Sequence, residues 1–219
     1  MMREHDGEPI HGLPERPPEG ERVLWQGRPD AWALAKQAFH LPAVTGYFAL
    51  LGLGRVVLTV YQHGTVADII VQVAVLAVLC AAAVLLFGFM AWLMARSTVY
   101  TITNRRVVMR IGVALPLTIN LPFSAVESAA MRPYGAGLGD IPLTLRERHK
   151  LGYLVFWPHV RPWRFAAPQP MLRAIPDAEK AARILTDAFI AASEDRVTRP
   201  ALRLSVADGP SPTLSPVAG

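Results

Sequence analysis

The chain has 219 residues, 52% of them hydrophobic, with a mean hydropathy of +0.29, a formal net charge of +5 and a sequence pI of about 9.8. So high an apolar share excludes an ordinary soluble domain of this size, and the single cysteine, Cys80, excludes a disulfide or a cysteine-based zinc site within one chain. A basic balance suits nucleic acid or an anionic membrane surface, and the two apolar segments described next select the membrane and set nucleic acid aside.

Residues 1–20 are polar and carry Pro9, Pro14, Pro17 and Pro18. They read as a flexible N-terminal segment with no apolar stretch of the kind a signal peptide needs. Residues 21–42 form a cytoplasmic or interfacial segment. Asp30 can cap a helix from Ala31 onward, in which Trp32, Leu34, Ala35, Ala38 and Phe39 make an apolar stripe beside Lys36. Two readings fit: a short helix lying in the membrane interface before Pro42 redirects the chain, or the first turns of a longer spanning helix.

Two apolar stretches follow, 43–61 and 69–95, and the second contains no charged residue. A span needs about 20 apolar residues to cross a core of about 30 Å, and both qualify. The connector from Gln62 to Asp68 carries no Lys or Arg, whereas Arg22, Arg28 and Lys36 precede the first stretch and Arg96, Arg105, Arg106 and Arg110 follow the second. By the positive-inside rule both termini are cytoplasmic. Arg55, the one charge inside a stretch, is near enough to Tyr61 to reach the headgroups, or else meets a partner. At about 40 Å of helix the second span must tilt or continue toward the soluble part, with Trp92 near its cytoplasmic end. Ala74, Ala77, Ala81, Val84, Gly88, Ala91 and Ala95 recur in steps of three and four, with Ala43, Gly46, Ala49 and Gly52 as a weaker counterpart. The candidate helix-packing residues are therefore Gly46, Gly52, Ala77, Ala81, Gly88 and Ala91, used within the hairpin or in a homodimer.

Strand signals start after Arg96. Thr98–Thr103 and Arg106–Ile111 are rich in Val, Ile, Tyr and Thr and are joined at Asn104-Arg105; Leu115, Leu117, Ile119 and Leu121 alternate with polar or proline positions. Further strands are expected at Val126–Tyr134, Ile141–Arg146, Tyr153–Trp157 and Trp163–Ala166. Gly135 to Gly139 connects two of these; it resembles a phosphate loop only superficially. A helix after Asp177 places Ala181, Ile184, Leu185, Ala188 and Phe189 on one face. Residues 97–192 make the soluble domain and 193–219 a disordered tail. The expected fold class is α+β: a two-helix transmembrane hairpin, then a small antiparallel β-barrel or sandwich capped by a C-terminal helix, the layout of a pleckstrin-homology-like (PH-like) domain.

The string from Tyr100 to Gly112, Tyr-Thr-Ile-Thr-Asn-Arg-Arg-Val-Val-Met-Arg-Ile-Gly, resembles a hairpin of bacterial PH-like membrane domains, in which a segment like Gly20 to Pro29 precedes two spans. Gly12 to Arg16, Leu24 to Asp30 and Ala38-Phe39-His40 are similar to the photosynthetic complex assembly proteins of purple phototrophic bacteria, and the likeness covers roughly residues 9–192. It implies a non-catalytic assembly factor for the reaction centre and its light-harvesting 1 ring in the cytoplasmic, or intracytoplasmic, membrane. The partners it implies are reaction-centre or light-harvesting 1 polypeptides.

Chemistry beyond binding finds no motif. The six histidines, His5, His11, His40, His63, His149 and His159, show no metal-ligand spacing and none falls inside a span. His40, at the boundary, is the one weak candidate for a pigment contact. No cofactor, metal or catalytic residue is assigned, and an enzyme is not expected. Two surfaces remain as candidates for membrane or partner contact. Arg105 and Arg106, on a turn about ten residues after the second span, are within reach of anionic lipid, and a lipid-sensing module is the rival reading. Trp157, Arg161, Trp163 and Arg164, together with Lys36, form the other; exposed they make a binding surface, and buried they fill the core.

Overall fold

The protein is described by a computed structural model that covers residues 17–113, 115–146, 153–165 and 168–198. Of the segments 1–20 and 193–219, read above as flexible N-terminus and disordered tail, 1–16 and 199–219 lie outside the described residues, while 193–198 are not disordered but continue the last helix. The first strand, β1 (Val23–Gly27), comes from before the apolar stretches and pairs antiparallel with β2 (Val99–Thr103), which comes after them: Trp25 faces Ile102 and Gly27 faces Tyr100. Nothing local marks β1, a five-residue run whose partner lies more than seventy positions away. The sheet continues through β3 (Arg106–Ile111) and β4 (Leu117–Pro122) in the order β1-β2-β3-β4. A strand from each flank of the apolar pair thus belongs to one sheet, so both flanks emerge on the same side of that pair.

The second sheet is built around β7 (Leu138–Leu145). Its two halves pair with β5 (Val126–Ala129) and β6 (Arg132–Gly135), and β8 (Met171–Ile175) joins it as well. The expected strand over Val126–Tyr134 is thus split in two. Tyr100, Ile102, Val107, Met109, Leu121, Phe123, Ile141, Leu143 and Leu172 form the core between the sheets. The helix α5 (Ala178–Thr198) closes it with Ala178, Ala181, Leu185 and Ala188 buried and Phe189 edge-on to Phe123, as its period predicts. Gly139 permits this cap, because a Cβ there would lie 2.9 Å from both the Ala178 methyl and the Arg132 carbonyl.

Two expected strands are absent. Tyr153–Phe156 is a short helix, α4, and the described residues of Trp163–Ala166 form loop, with Trp163 at φ 63. Pro158 and Pro162 lack the N–H that a ladder requires, which keeps this stretch out of the sheet. The strand that occupies the sheet instead, β8, went unread because its five residues are all buried and include Arg173, so no alternation shows.

The apolar stretches form α2 (Leu41–Tyr61) and α3 (Val66–Ser97), an antiparallel pair of helices long and apolar enough to cross a membrane. Thr65 and Asp68 form a capping box at the start of α3, which closes the connector tightly. Leu50, Leu53, Val57, Ile70, Val78, Leu85 and Phe89 face outward, and a row of that size is foreign to a water-facing surface. The seam differs from the small-residue expectation. Its covered positions include Val44, Phe48, Gly52, Val56 and Thr59 on α2 and Ile69, Gln72, Leu76, Cys80 and Phe87 on α3, with Thr59 Oγ1 bonded to Gln72 Oε1 at 3.1 Å. Gly46, Ala77 and Ala81 face outward, and a Cβ on Gly46, Gly52 or Gly88 would meet nothing within 4 Å. The larger seam residues hold the backbones too far apart for glycine contacts. Ala91 is buried, against Ala35 and Leu41.

Between β1 and α2 the chain forms the short helix α1 (Ala31–Gln37), capped as expected by Asp30, whose Oδ1 accepts from the Ala33 N–H at 2.7 Å. His40, left-handed and exposed, separates α1 from α2, so these residues are not the first turns of the longer helix. Ala33 and Leu34 pack on Ala95 and on Ala174 of β8, while Trp32 and Lys36 point outward. The two extra turns of α3 beyond the start of α2 are covered by α1.

Candidate functional site

Three groups of polar or aromatic residues stand out, two at the end of the barrel that meets the helix pair and one at its far end. The first is a buried collar where the barrel meets the helix pair. Tyr100, entering β2 three residues after α3 ends, presents its hydroxyl to His159 Nδ1 at 2.5 Å and accepts the Arg173 N–H at 3.2 Å. The same imidazole ring meets Thr98 Oγ1 through Nε2 at 3.2 Å, so both of its nitrogens are engaged. Burial, reinforced by the Arg173 charge, pulls the His159 pKa down to about 3, so the ring is neutral at physiological pH. Burial likewise pushes the Tyr100 hydroxyl well above its usual range, and burial with the neighbouring Asp140 carboxylate does the same for Tyr134.

Arg173 is the hub of this collar. Its guanidinium donates to the Pro158 carbonyl at 2.8 Å and to the Gln37 carbonyl, at the end of α1, at 2.7 Å. Its neighbour Ala174 is left-handed at φ 52; the Ala174 N–H donates to Asp140 Oδ1 at 2.9 Å and its carbonyl accepts from the Asp30 N–H at 2.7 Å. β8 thus holds both ends of α1. Among the described residues Arg173 Nε is buried without a hydrogen-bond partner. The groups present are a neutral imidazole, two protonated phenols and a guanidinium bound to carbonyls, an arrangement suited to fixing geometry. Among the described residues no group of three or more His, Cys, Asp and Glu side chains could hold a metal. None of this collar was foreseen. Arg173 in the otherwise apolar Met171–Ile175 was the only local signal for it.

The second group is the β2–β3 turn. It lies at the opposite end of β2 from α3, about 15 Å along the strand, so the expectation that Arg105 and Arg106 sit beside the spans does not hold. Arg106 is engaged by Glu21 through two bonds of 2.8 and 3.0 Å, and Asn104 binds the Arg22 N–H and the Gly20 carbonyl, each at 2.9 Å. The turn fastens the approach to β1. Arg105 is exposed.

The third group runs from Trp157 to Phe165. The core-filling reading holds for Phe156, His159 and Val160, which are buried; Trp157 is 43% exposed, Trp163 86% and Phe165 63%, and Arg161 and Arg164 are exposed as well. Trp157 meets Phe39 edge-on at 5.5 Å, and Phe39 meets Phe87 of α3 at 6.0 Å. Arg161 is held by its own amide and guanidinium to Gln169 at 2.9 and 3.1 Å. Lys36 lies over Trp32 at 4.9 Å and Arg96 over Trp92 at 5.6 Å. Of the candidate contact residues, Trp157, Arg161, Trp163 and Arg164 share this stretch, Lys36 lies on α1 beside Trp32, and Arg105 and Arg106 are at the β2–β3 turn.

The family described as Bacterial PH domain matches residues 48–189. A protein of Rhodobacter capsulatus, described as an uncharacterized 23.7 kDa protein in the puhA 5′ region, is 44% identical over 193 residues, covering 85% of this chain and 89% of its own length. No solved structure matches.

Proposed function

Because the chain belongs to the bacterial PH domain family, we propose that it is a membrane-anchored, non-catalytic assembly factor for the photosynthetic reaction centre and its light-harvesting 1 ring. It sits in the cytoplasmic membrane with both termini in the cytoplasm. The observation that carries this reading is the relative from the puhA 5′ region, puhA being a reaction-centre gene, which matches this chain over most of both lengths. The helix pair supports it. Ala74, Ala77 and Ala81 form an uncovered small-residue face on α3, which lets a client helix approach laterally, where close packing rather than hydrophobicity drives association. The one-sided distribution of Lys and Arg supports the orientation.

Sensing of anionic headgroups through Arg105 and Arg106 has less support, since Arg106 is engaged by Glu21 at the end of the barrel away from α3. A deletion strain tests the assembly reading. It should contain less assembled complex, read from membrane absorbance spectra, while each complex that forms transfers electrons at the normal rate. Normal amounts with slowed electron transfer would overturn it.

A further inference from the structure

We propose that the exposed tip Trp163-Arg164-Phe165, with Trp157 at its base, is a peripheral membrane contact that enters the headgroup layer of an anionic bilayer beside the two spans. The inference rests on reading α2 and α3 as membrane spans, and it does not depend on which client the protein serves. The height of the loop follows from the aromatic chain Trp157–Phe39–Phe87. Phe87 lies about ten residues, or about 15 Å of helix, before the end of α3, and so inside the apolar stretch. Leu41, the first residue of α2, packs against Ala91, one turn beyond Phe87. Through Phe39, Trp157 is therefore set level with the start of α2, which on this reading is the cytoplasmic hydrocarbon boundary.

From that point the chain passes through the buried Pro158, His159 and Val160 and comes back to the surface at Arg161. The bridge between Val160 and Pro170, with Arg161 fastened to Gln169, closes the base of an excursion that carries Trp163, Arg164 and Phe165. Trp163 and Phe165 meet each other at 6.3 Å, and Phe165 meets Tyr153 at 4.6 Å, so the tip is an ordered aromatic cluster with its largest ring almost wholly uncovered. Large uncovered indoles are costly in water and favoured in the headgroup layer, where the ring lies among acyl carbonyls and the N–H stays hydrated. The Trp32–Lys36 and Trp92–Arg96 pairs, on helices packed at the same end of the hairpin, repeat this combination of indole and cation. Arg164 adds an exposed cation at the tip, which selects anionic over zwitterionic lipid.

The test uses the full chain in nanodiscs of phosphatidylcholine with or without phosphatidylglycerol. A nitroxide is attached at Trp163→Cys in a Cys80→Ala background. Single labels at Arg105→Cys and Leu85→Cys serve as water and lipid references. In anionic discs the label at 163 should collide more with oxygen than with a water-soluble nickel chelate, as at 85 and opposite to 105, and this preference should weaken when phosphatidylglycerol is omitted. A label at 163 that behaves like the one at 105, while 85 reads as lipid, overturns the inference and leaves the spans intact. If 85 also reads as water, the membrane reading itself has failed. A label at 163 that is aqueous in nanodiscs yet immobilised in native membranes would mean that a protein occupies the loop, and would equally overturn the assignment to lipid. Labelling at Phe165→Cys repeats the measurement should Trp163→Cys fail to fold.

Discussion

Tyr100, Ile102, Met109, Leu143 and Leu172 are completely enclosed within the barrel, whereas in the helix pair Leu50, Leu53, Leu85 and Phe89 all face outward. The barrel is held by burial, at about 1.5–3 kcal/mol for each large side chain removed from water. Lipid gives a helix pair no such gain, and the space around Gly46, Gly52 and Gly88 shows that close backbone packing does not replace it. What fixes the pair is its attachment. β1 precedes it, β2 follows it, and α1 is bound between them by Arg173 and Asp30. Changes at the attachment should therefore cost more than changes on the helices.

The largest effect is expected from Arg173→Met, which leaves the buried carbonyls of Pro158 and Gln37 unpaired. Thermal unfolding of the detergent-solubilised protein should report a loss of about 3 kcal/mol or more, and a loss below about 0.5 kcal/mol would remove the collar from the account. Acidification comes next. His159 is held neutral with a folded pKa of about 3 against about 6.5 unfolded, so its contribution is complete above pH 6.5 and is lost as the pH falls toward 3. About 2 kcal/mol should disappear between pH 6.5 and 4.5, and His159→Gln should flatten that part of the profile. Tyr100→Phe removes the hydroxyl that bonds both His159 and the Arg173 N–H and should cost about 1–2 kcal/mol by the same assay. Glu21→Gln weakens the bond that fastens the approach to β1, at about 1 kcal/mol, with the deficit narrowing at high salt. Gly88→Leu should cost less than about 0.5 kcal/mol in the isolated protein, because the space beside it is open. A large loss there would mean that the hairpin is tighter than described.

Where a residue's role follows from its neighbours in sequence, the expectation held. The two long apolar helices, the hairpin β2–β3, the Asp30 cap and the apolar face of α5 all come from local periodicity or composition. What escaped depends on contacts far apart in the chain. β1 is recognisable only beside β2, β8 only once both its faces are known to be buried, and the collar only when residues 37, 98, 100, 158, 159 and 173 meet. The small-residue face was legible, but its period alone cannot say whether it turns inward or out. The aromatic stretch leaves surface and core open in sequence, and the fold uses both, with Phe156 and His159 buried and Trp163 and Phe165 exposed.

The central structural claim is that a strand encoded before the spans is built into the barrel encoded after them. Gln26 and Thr101 face each other in that pairing, with Gln26 Nε2 donating to Thr101 Oγ1 at 3.0 Å. Cysteines placed at both positions in a Cys80→Ala background, oxidised in intact membranes and mapped by mass spectrometry, test it directly. The account predicts an intramolecular disulfide joining the two peptides in most molecules. Two free thiols, or a bond only between separate copies, would contradict it.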